Sequence, residues 1–318
     1  MKRILVTGGA GYIGGTAVKM LLAAGFEVTI LDDCSTGHED SIDSRATFVL
    51  GSVLEKNAVL TALNGCDAVI HFAAKSLVGE SVEKPDLYMH VNVDGTKLLL
   101  ECMKELGVKK IVFSSTAATY GDPKEERLTE NSPTHPTNPY GLSKLLVEKL
   151  LTSKAHEDGF AAISLRYFNV AGALKTHTSW HAERHNPETH LIPNVLKATP
   201  ENPLKLFGTD WPTPDHTCIR DYIHVVDLIE AHIAALNNLE TGTHQIINLG
   251  SGEGYSVKQV IDTAAEVTGR KIPMVEVERR AGDPAILVAD ISKAESQLGW
   301  RPTRNLTSMI EDTYNASK

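Results

Sequence analysis

Tyr140 and Lys144, in the segment NPYGLSK, stand four residues apart, a spacing that puts both on one face of a helix. A phenol with an ordinary pKa of about 10 is a poor base at neutral pH, and a neighbouring ammonium favours its ionised form. Thr116, in SSTAATYG, follows a strand-like run and adds a hydroxyl suited to orienting a substrate alcohol. Together the three residues suit the withdrawal of a proton from an alcohol while a hydride leaves its carbon. The YxxxK spacing alone is also compatible with a solvent-facing pair.

A hydride needs an acceptor, and the N-terminal residues offer a place for one. Gly8, Gly11 and Gly14 in TGGAGYIGG lie between a strand-like and a helix-like stretch, where missing side chains let backbone N–H groups and a helix N-terminus approach a pyrophosphate. A plain tight turn would look the same. Asp32, ending the next strand-like run, shifts the balance: its carboxylate suits the adenosine ribose hydroxyls and repels a 2′-phosphate, so NAD is expected over NADP. Asp33 fits a supporting role or an exposed turn. Phe72, Ala73, Ala74 and Lys75 follow another strand, where ligands bind in such sheets; Lys75 also fits a solvated surface lysine.

The elements that must position these residues are readable as an alternation. RILVTGG, EVTILDD, ATFVLGS, DAVIHFAA, KKIVFSS and AAISLRYFNV are short apolar runs separated by helix-like stretches, and they are apolar nearly throughout. That pattern predicts an α/β fold with a doubly wound parallel sheet covered on both faces. After about Gly172 the pattern loosens; a helical segment (225–239) and the run HQIINLG then return. Residues 1–172 are expected to form the dinucleotide domain, with 222–250 folding back onto it, and 173–318 a smaller, discontinuous C-terminal α/β lobe.

At 318 residues the chain can bury a large core, and 42% hydrophobic with 22% charged residues excludes a disordered polymer. No apolar run approaches the roughly eighteen residues needed to cross a bilayer, and the N-terminus lacks a signal-peptide pattern, so a soluble, cytoplasmic protein is expected. Cys34, Cys66, Cys102 and Cys218 are scattered without a CxxC pair and read as reduced thiols. A net charge of −9 argues against nucleic acid as a partner.

Glycine turn, acidic strand end, SST and YxxxK, in this order, resemble the short-chain dehydrogenase/reductases over nearly the whole chain. GGAGYIGG, HFAAKSLVGES, HVNVDGT, FSSTAATYGDP, NPYGLSK, LRYFNVAGA, HLIP, CIRDYIHVVDL and RRAGDPA narrow the resemblance to the extended members that act as UDP-glucose 4-epimerases. The resemblance implies a Rossmann sheet, a retained NAD, oxidation of the sugar C4 hydroxyl, rotation of the 4-keto sugar and return of the hydride to its other face. It also implies a homodimer through the helices around 86–106 and 140–151.

Residue by residue, the resemblance puts Tyr12, Ile13, Cys34, Ser35, Thr36, Gly37, Ser52, Val53, Asn92, Ser114, Ser115 and Phe168 with the cofactor. For the UDP-sugar it implies Lys75, Thr116, Tyr140, Asn169, His190, Leu191, Leu206, Phe207, Arg220, Arg280, Asp283 and Leu287, with the arginines on the phosphates. Phe207 beside Gly208 suits a core position as well as a stacking one, and Asn169 suits a turn brace. Three departures stand out: Ser52 replaces an aspartate that holds adenine in many relatives, Thr116 stands where many members have serine, and Leu287 at the sugar gate is intermediate between the bulky tyrosine of relatives confined to unacetylated sugars and the smaller residue of those accepting N-acetyl sugars. The last suggests some activity on N-acetylated UDP-hexosamines.

His177, His181, His185 and His190 crowd the segment THTSWHAERHNPETH. Glu183 is misplaced for an HExxH zinc helix and Pro187 would interrupt one, so a substrate loop without metal is expected. A nucleotide-sugar dehydratase would need an acid pair after Thr116, where Ala117 and Ala118 stand. A non-catalytic NAD sensor of the same fold remains the rival from another class.

Overall fold

The computed structural model describes residues 2–279 and 283–318. Seven parallel strands form its central sheet: β1 (Arg3–Thr7), β2 (Glu27–Asp32), β3 (Thr47–Leu50), β4 (Ala68–His71), β5 (Lys110–Thr116), β6 (Ala161–Tyr167) and β7 (His244–Leu249). Their spatial order is β3-β2-β1-β4-β5-β6-β7, with every neighbouring pair parallel. Chain order therefore reverses between β1 and β4, and the carboxyl ends of these two strands border the crevice where such sheets bind ligands.

The alternation of side chains along each strand feeds two cores. Ile4 and Val6 of β1 pack with Val18, Leu21 and Leu228 on one face, while Leu5 packs with Val59, Leu99, Val147 and Leu151 on the other. Helix α1 (Tyr12–Ala23) and helix α5 (Val225–Asn237) supply the first layer; α2 (Lys56–Leu63), α3 (Gly95–Glu105) and α4 (Pro139–Asp158) supply the second. Both layers are needed because neither face of an all-parallel sheet tolerates water.

Helix α4 carries Tyr140 and Lys144, and its start is strongly specified. Asn138 caps it by accepting the Gly141 N–H at 2.8 Å, and Pro139 occupies the first helical position, where no amide partner is lost. Gly159 ends it at φ 70°, in the left-handed region.

The segment 222–249 leaves and rejoins the sheet: 222–224 pairs with 169–171, α5 packs against α1, and β7 completes the sheet beside β6. A third core, built from Ile192, Val195, Leu204, Leu206, Val260, Met309 and Ile310, holds the C-terminal lobe together. Two short pairings, 204–207 with 274–277 and 219–220 with 286–287, lie outside the central sheet. Among the described residues no helix is long and apolar enough to cross a membrane.

Candidate active site

A cleft of about 1470 Å³ runs along the carboxyl edge of the sheet and under the second lobe. The glycine turn forms its floor at the β1/β4 reversal. Gly8 has φ +74°, and a Cβ on it would lie 2.8 Å from the Ala73 nitrogen; a Cβ on Gly14 would fall 2.1 Å from the Gly8 oxygen. Side chains are thus excluded where a pyrophosphate must come close. Gly11 caps α1 without a side-chain hydrogen bond, so the first-turn amides of Tyr12, Ile13 and Gly14 remain directed at the cleft they line. These residues fit a dinucleotide.

Asp32 is 9% exposed, and its Oδ2 accepts the Ala10 N–H at 2.9 Å while Oδ1 accepts the Cys34 N–H at 2.8 Å. The same carboxylate therefore braces the glycine turn and faces the cleft. Burial pushes its pKa up, against the pull of those two amides.

On the opposite wall, Lys144 Nζ donates to the Ser114 carbonyl at 2.8 Å and lies 4.8 Å from the centre of the Phe113 ring. Burial lowers its pKa to about 7, with Glu148 opposing the fall. Tyr140 shares its face of α4. Burial raises the Tyr140 pKa, and the Thr116 hydroxyl hydrogen-bonded to it draws it back down. Thr116 also accepts the Ala118 N–H at 3.1 Å, which fixes its rotamer.

Beneath them runs a hydrogen-bonded chain whose direction is determined throughout. Thr96 donates to the Asn92 carbonyl at 2.6 Å, so it accepts from His71 Nε2 at 2.9 Å; His71 Nδ1 then accepts from Thr7 at 2.7 Å, and Thr7 accepts the Ala73 N–H at 3.2 Å. The chain requires a neutral imidazole, and burial, with Lys144 nearby, lowers the His71 pKa to about 3.

The cleft is lined by most of the residues singled out from sequence: Tyr12, Asp33, Ser35, Thr36, Gly37, Ser52, Val53, Phe72, Ala73, Ala74, Lys75, Ser114, Phe168, Asn169, His190, Leu191, Phe207, Arg220, Asp283 and Leu287 join those already described. Four do not line it. Cys34 is turned at φ 54° beside Asp32. Asn92 stands behind Lys75, exchanging hydrogen bonds with its backbone at 2.8 and 3.0 Å. Ser115 is fully buried and donates to Glu148 at 2.5 Å. Leu206 alternates inward to the third core while Phe207 faces the cleft. Arg280 lies outside the described residues.

Asn169 does brace a strand, donating to the Asp221 carbonyl at 2.8 Å. Arg220 lies 3.7 Å from Asp283, and its side chain is 14% exposed. Sequence reasoning missed Tyr167, whose hydroxyl meets Ser114 Oγ at 2.5 Å, and buried Asp221. The Asp221 carboxylate accepts from Ser251, Gly252 and Ala289, tying the second lobe to the end of β7. The signal was in the RDY of CIRDYIHVVDL, where an acid interrupts an apolar run.

The whole arrangement has known counterparts. The NAD dependent epimerase/dehydratase family model matches residues 4–250. The UDP-glucose 4-epimerase of Corynebacterium glutamicum is 50% identical over 315 residues, covering 98% of this chain and 94% of that protein. Among solved structures, the UDP-glucose 4-epimerase of Brucella ovis in complex with NAD superposes with a TM-score of 0.94 at 37% identity, covering 99% of this chain and 98% of that one. The Bifidobacterium longum UDP-glucose 4-epimerase in complex with NAD+ and UDP gives 0.92 at 37% identity, with the same coverage. With its glycine turn, Tyr140–Lys144 wall and full-length likeness to these proteins, the chain belongs to the NAD dependent epimerase/dehydratase family, alongside the UDP-glucose 4-epimerases.

Proposed function

We propose that this chain interconverts UDP-galactose and UDP-glucose as an NAD-dependent 4-epimerase working through a 4-keto sugar. One observation carries the reading: Tyr140, Thr116, Lys144 and Arg220 line the same cleft as the glycine turn. NAD, held by the glycine turn and Asp32, would supply the acceptor for the C4 hydride and the source of its return to the opposite face of the sugar. The Tyr140 oxygen takes the C4 hydroxyl proton and gives it back to the same oxygen after the sugar has turned. Lys144, positioned by the Ser114 carbonyl, favours the phenolate, and Thr116 orients the alcohol.

Arg220 and Asp283 suit the diphosphate and the uridine ribose, Leu191 and Phe207 the uracil, and Lys75 the sugar end of the cleft. In this reading residues 1–172, with 222–250 returning, carry NAD, and 173–318 carry the UDP-sugar. Leu287 at the gate supports acceptance of N-acetylated UDP-hexosamines as well. Dehydration is disfavoured because Ala117 and Ala118, which cannot move a proton, follow Thr116 in the cleft.

We infer a homodimer from an apolar stripe. Val78, Val82, Leu142 and Leu146 are 47%, 64%, 41% and 37% exposed on adjoining helices, the last two one turn apart on α4. Leu146→Glu should yield monomers in sedimentation. The free thiols of Cys34, Cys66 and Cys102 support a cytosolic setting.

Purified protein incubated with UDP-galactose and no added cofactor should form UDP-glucose, and Tyr140→Phe should lose roughly 10²–10⁴-fold in rate while still binding NAD. If the wild type is as inactive as the variant with NAD in place, the chain is a sensor and not an epimerase.

A further inference from the structure

Two glutamates and two histidines of one short loop converge in the wall of the cleft. Glu183, His185, Glu188 and His190 each present one ligand-type atom, and all four atoms lie within 4.8 Å of one another. Both glutamate side chains are only 7% exposed, so two carboxylates share a largely dry space.

The separations look like hydrogen bonds, but the directions do not. His185 Nδ1 and His190 Nδ1 lie 2.7 and 2.6 Å from the same Glu183 oxygen, and His190 Nδ1 lies 3.4 Å from Glu188 Oε1. Yet both Nδ1 atoms are buried without a hydrogen-bond partner, as is Glu188 Oε2. Lys197 Nζ stands 3.6 Å from that oxygen, beyond hydrogen-bonding reach. Glu188 Oε1 is occupied by the backbone N–H groups of Thr189 and His190 at 2.9 and 3.0 Å. Four ligand-type atoms this close, three of them buried with no hydrogen bond made, leave room for one ion between them once His190 gives up its proton and the shortest separations open. In a tetrahedral site with ligands about 2.0–2.2 Å from the ion, neighbouring ligand atoms sit about 3.3 Å apart and direct nothing at each other.

We propose that Glu183, His185, Glu188 and His190 bind one divalent transition-metal ion of the zinc class. Two imidazoles with two carboxylates suit such an ion, whereas calcium and magnesium select oxygen-only shells. Four protein ligands close the coordination sphere, which makes the ion structural and leaves it without an open position for chemistry. Its effect is to fix the loop between the two halves of the cleft. On one side His181 meets the Tyr12 carbonyl at 2.9 Å, and Arg184 pairs with Asp40 at 2.6 Å. On the other, His190 is the N-cap residue of the helix Leu191–Lys197, whose first turn lines the cleft. The HExxH pattern was absent because these ligands come from a loop, and helical spacing is irrelevant to a loop.

The test is metal analysis of tag-free protein. Wild-type protein stripped with a chelator, incubated with zinc and desalted should retain about one equivalent per chain and melt at a higher temperature than the stripped form. Glu183→Gln and His185→Gln should each weaken zinc binding by at least the ~10–100-fold typical of outer-shell losses. Should a variant fail to fold, zinc K-edge absorption of the wild type decides, with imidazole nitrogen and oxygen at about 2.0–2.2 Å expected. No retained zinc in the wild type, full retention by folded variants, or a sulfur shell at about 2.3 Å from the cysteines would each overturn the proposal.

Discussion

Arg166, on β6, grips the Glu148 carboxylate in a fork, with Nε at 2.9 Å and a terminal nitrogen at 2.6 Å, one helical turn beyond Lys144. The two side chains are 3% and 2% exposed, and burial alone would lower the Arg166 pKa, but the carboxylate outweighs it and raises the guanidinium above its usual range. Tyr140, Lys144 and Glu148 thus share one stripe of α4, and the carboxylate at its base opposes the fall that burial imposes on the lysine's pKa.

Glu148→Gln would leave Arg166 as an uncompensated buried charge. A cost of about 3–5 kcal/mol is expected, since breaking one partner of such a pair is far more harmful than replacing both. Urea unfolding should show it as a lower midpoint at unchanged slope, and Glu148→Gln with Arg166→Met should recover much of the loss. An unchanged midpoint for the single variant would mean that the pair contributes nothing.

Asp32 offers a second test because one carboxylate serves two ends. An asparagine side chain there would keep one oxygen for a backbone N–H but not both, and it would no longer repel a 2′-phosphate. Asp32→Asn should therefore weaken NAD about tenfold, or ~1.4 kcal/mol, while leaving NADP binding equal or improved. Titrations of the two cofactors against stripped protein measure this, and an equal loss for both would assign Asp32 to the turn alone.

Stability should depend on pH through the buried histidines. His71 and His232 are buried and neutral, with pKa values lowered by desolvation from 6.5 to about 3 and about 4. His232 donates from Nδ1 to the Leu228 carbonyl at 2.8 Å, while its Nε2 is buried without a partner. Below pH 6.5 the unfolded chain takes up protons that the folded chain refuses, so stability is fully present above that pH and falls as the pH drops toward 4. Each histidine contributes a slope of about 1.4 kcal/mol per pH unit in that window. Denaturant midpoints at stepped pH measure the slope, and His232→Leu should flatten it by one histidine's share.

What the sequence disclosed divides along physical lines. The seven strands of the sheet were legible because all are short apolar runs bounded by Gly, Asp or Ser, and Asn138-Pro139 announced the start of α4 by cap chemistry. Tyr140 and Lys144 followed from helical spacing. Ser115 was less legible: a residue in SST looks equally reactive at each position, and only strand alternation sends it inward to Glu148 while Thr116 meets Tyr140. Glu148 and Arg166 could not be paired from sequence at all, since they meet across a helix and a strand. The convergence of four side chains in the loop 183–190 was illegible for a similar reason. Its ligand atoms converge by chain reversal, and no period records a reversal.

Leu287 carries the sharpest prediction about substrate range. It lines the cleft, paired in register with Arg220, so its side chain is held by two strands and not by a mobile loop. The Asp221 N–H, bonded to the Leu287 carbonyl at 2.9 Å, belongs to the same pairing. Its side chain also packs against the cluster of Ala117, Tyr120, Leu128 and Phe168, so the space left at the gate is set largely by its own volume. Leu287→Tyr adds a ring and a hydroxyl to a rigid wall, and overpacking of this kind costs roughly 1–3 kcal/mol where the extra atoms meet a ligand group. The acetamido group of UDP-N-acetylglucosamine would meet that ring, whereas the smaller hydroxyl of UDP-glucose would not. The variant should therefore lose kcat/KM for the N-acetylated sugar by about 10–100-fold and retain activity on UDP-galactose within a few-fold. Parallel assays of both substrates decide it. Wild-type protein with no turnover of UDP-N-acetylglucosamine, or equal losses on both sugars in the variant, would show that the limit on sugar size lies elsewhere in the cleft.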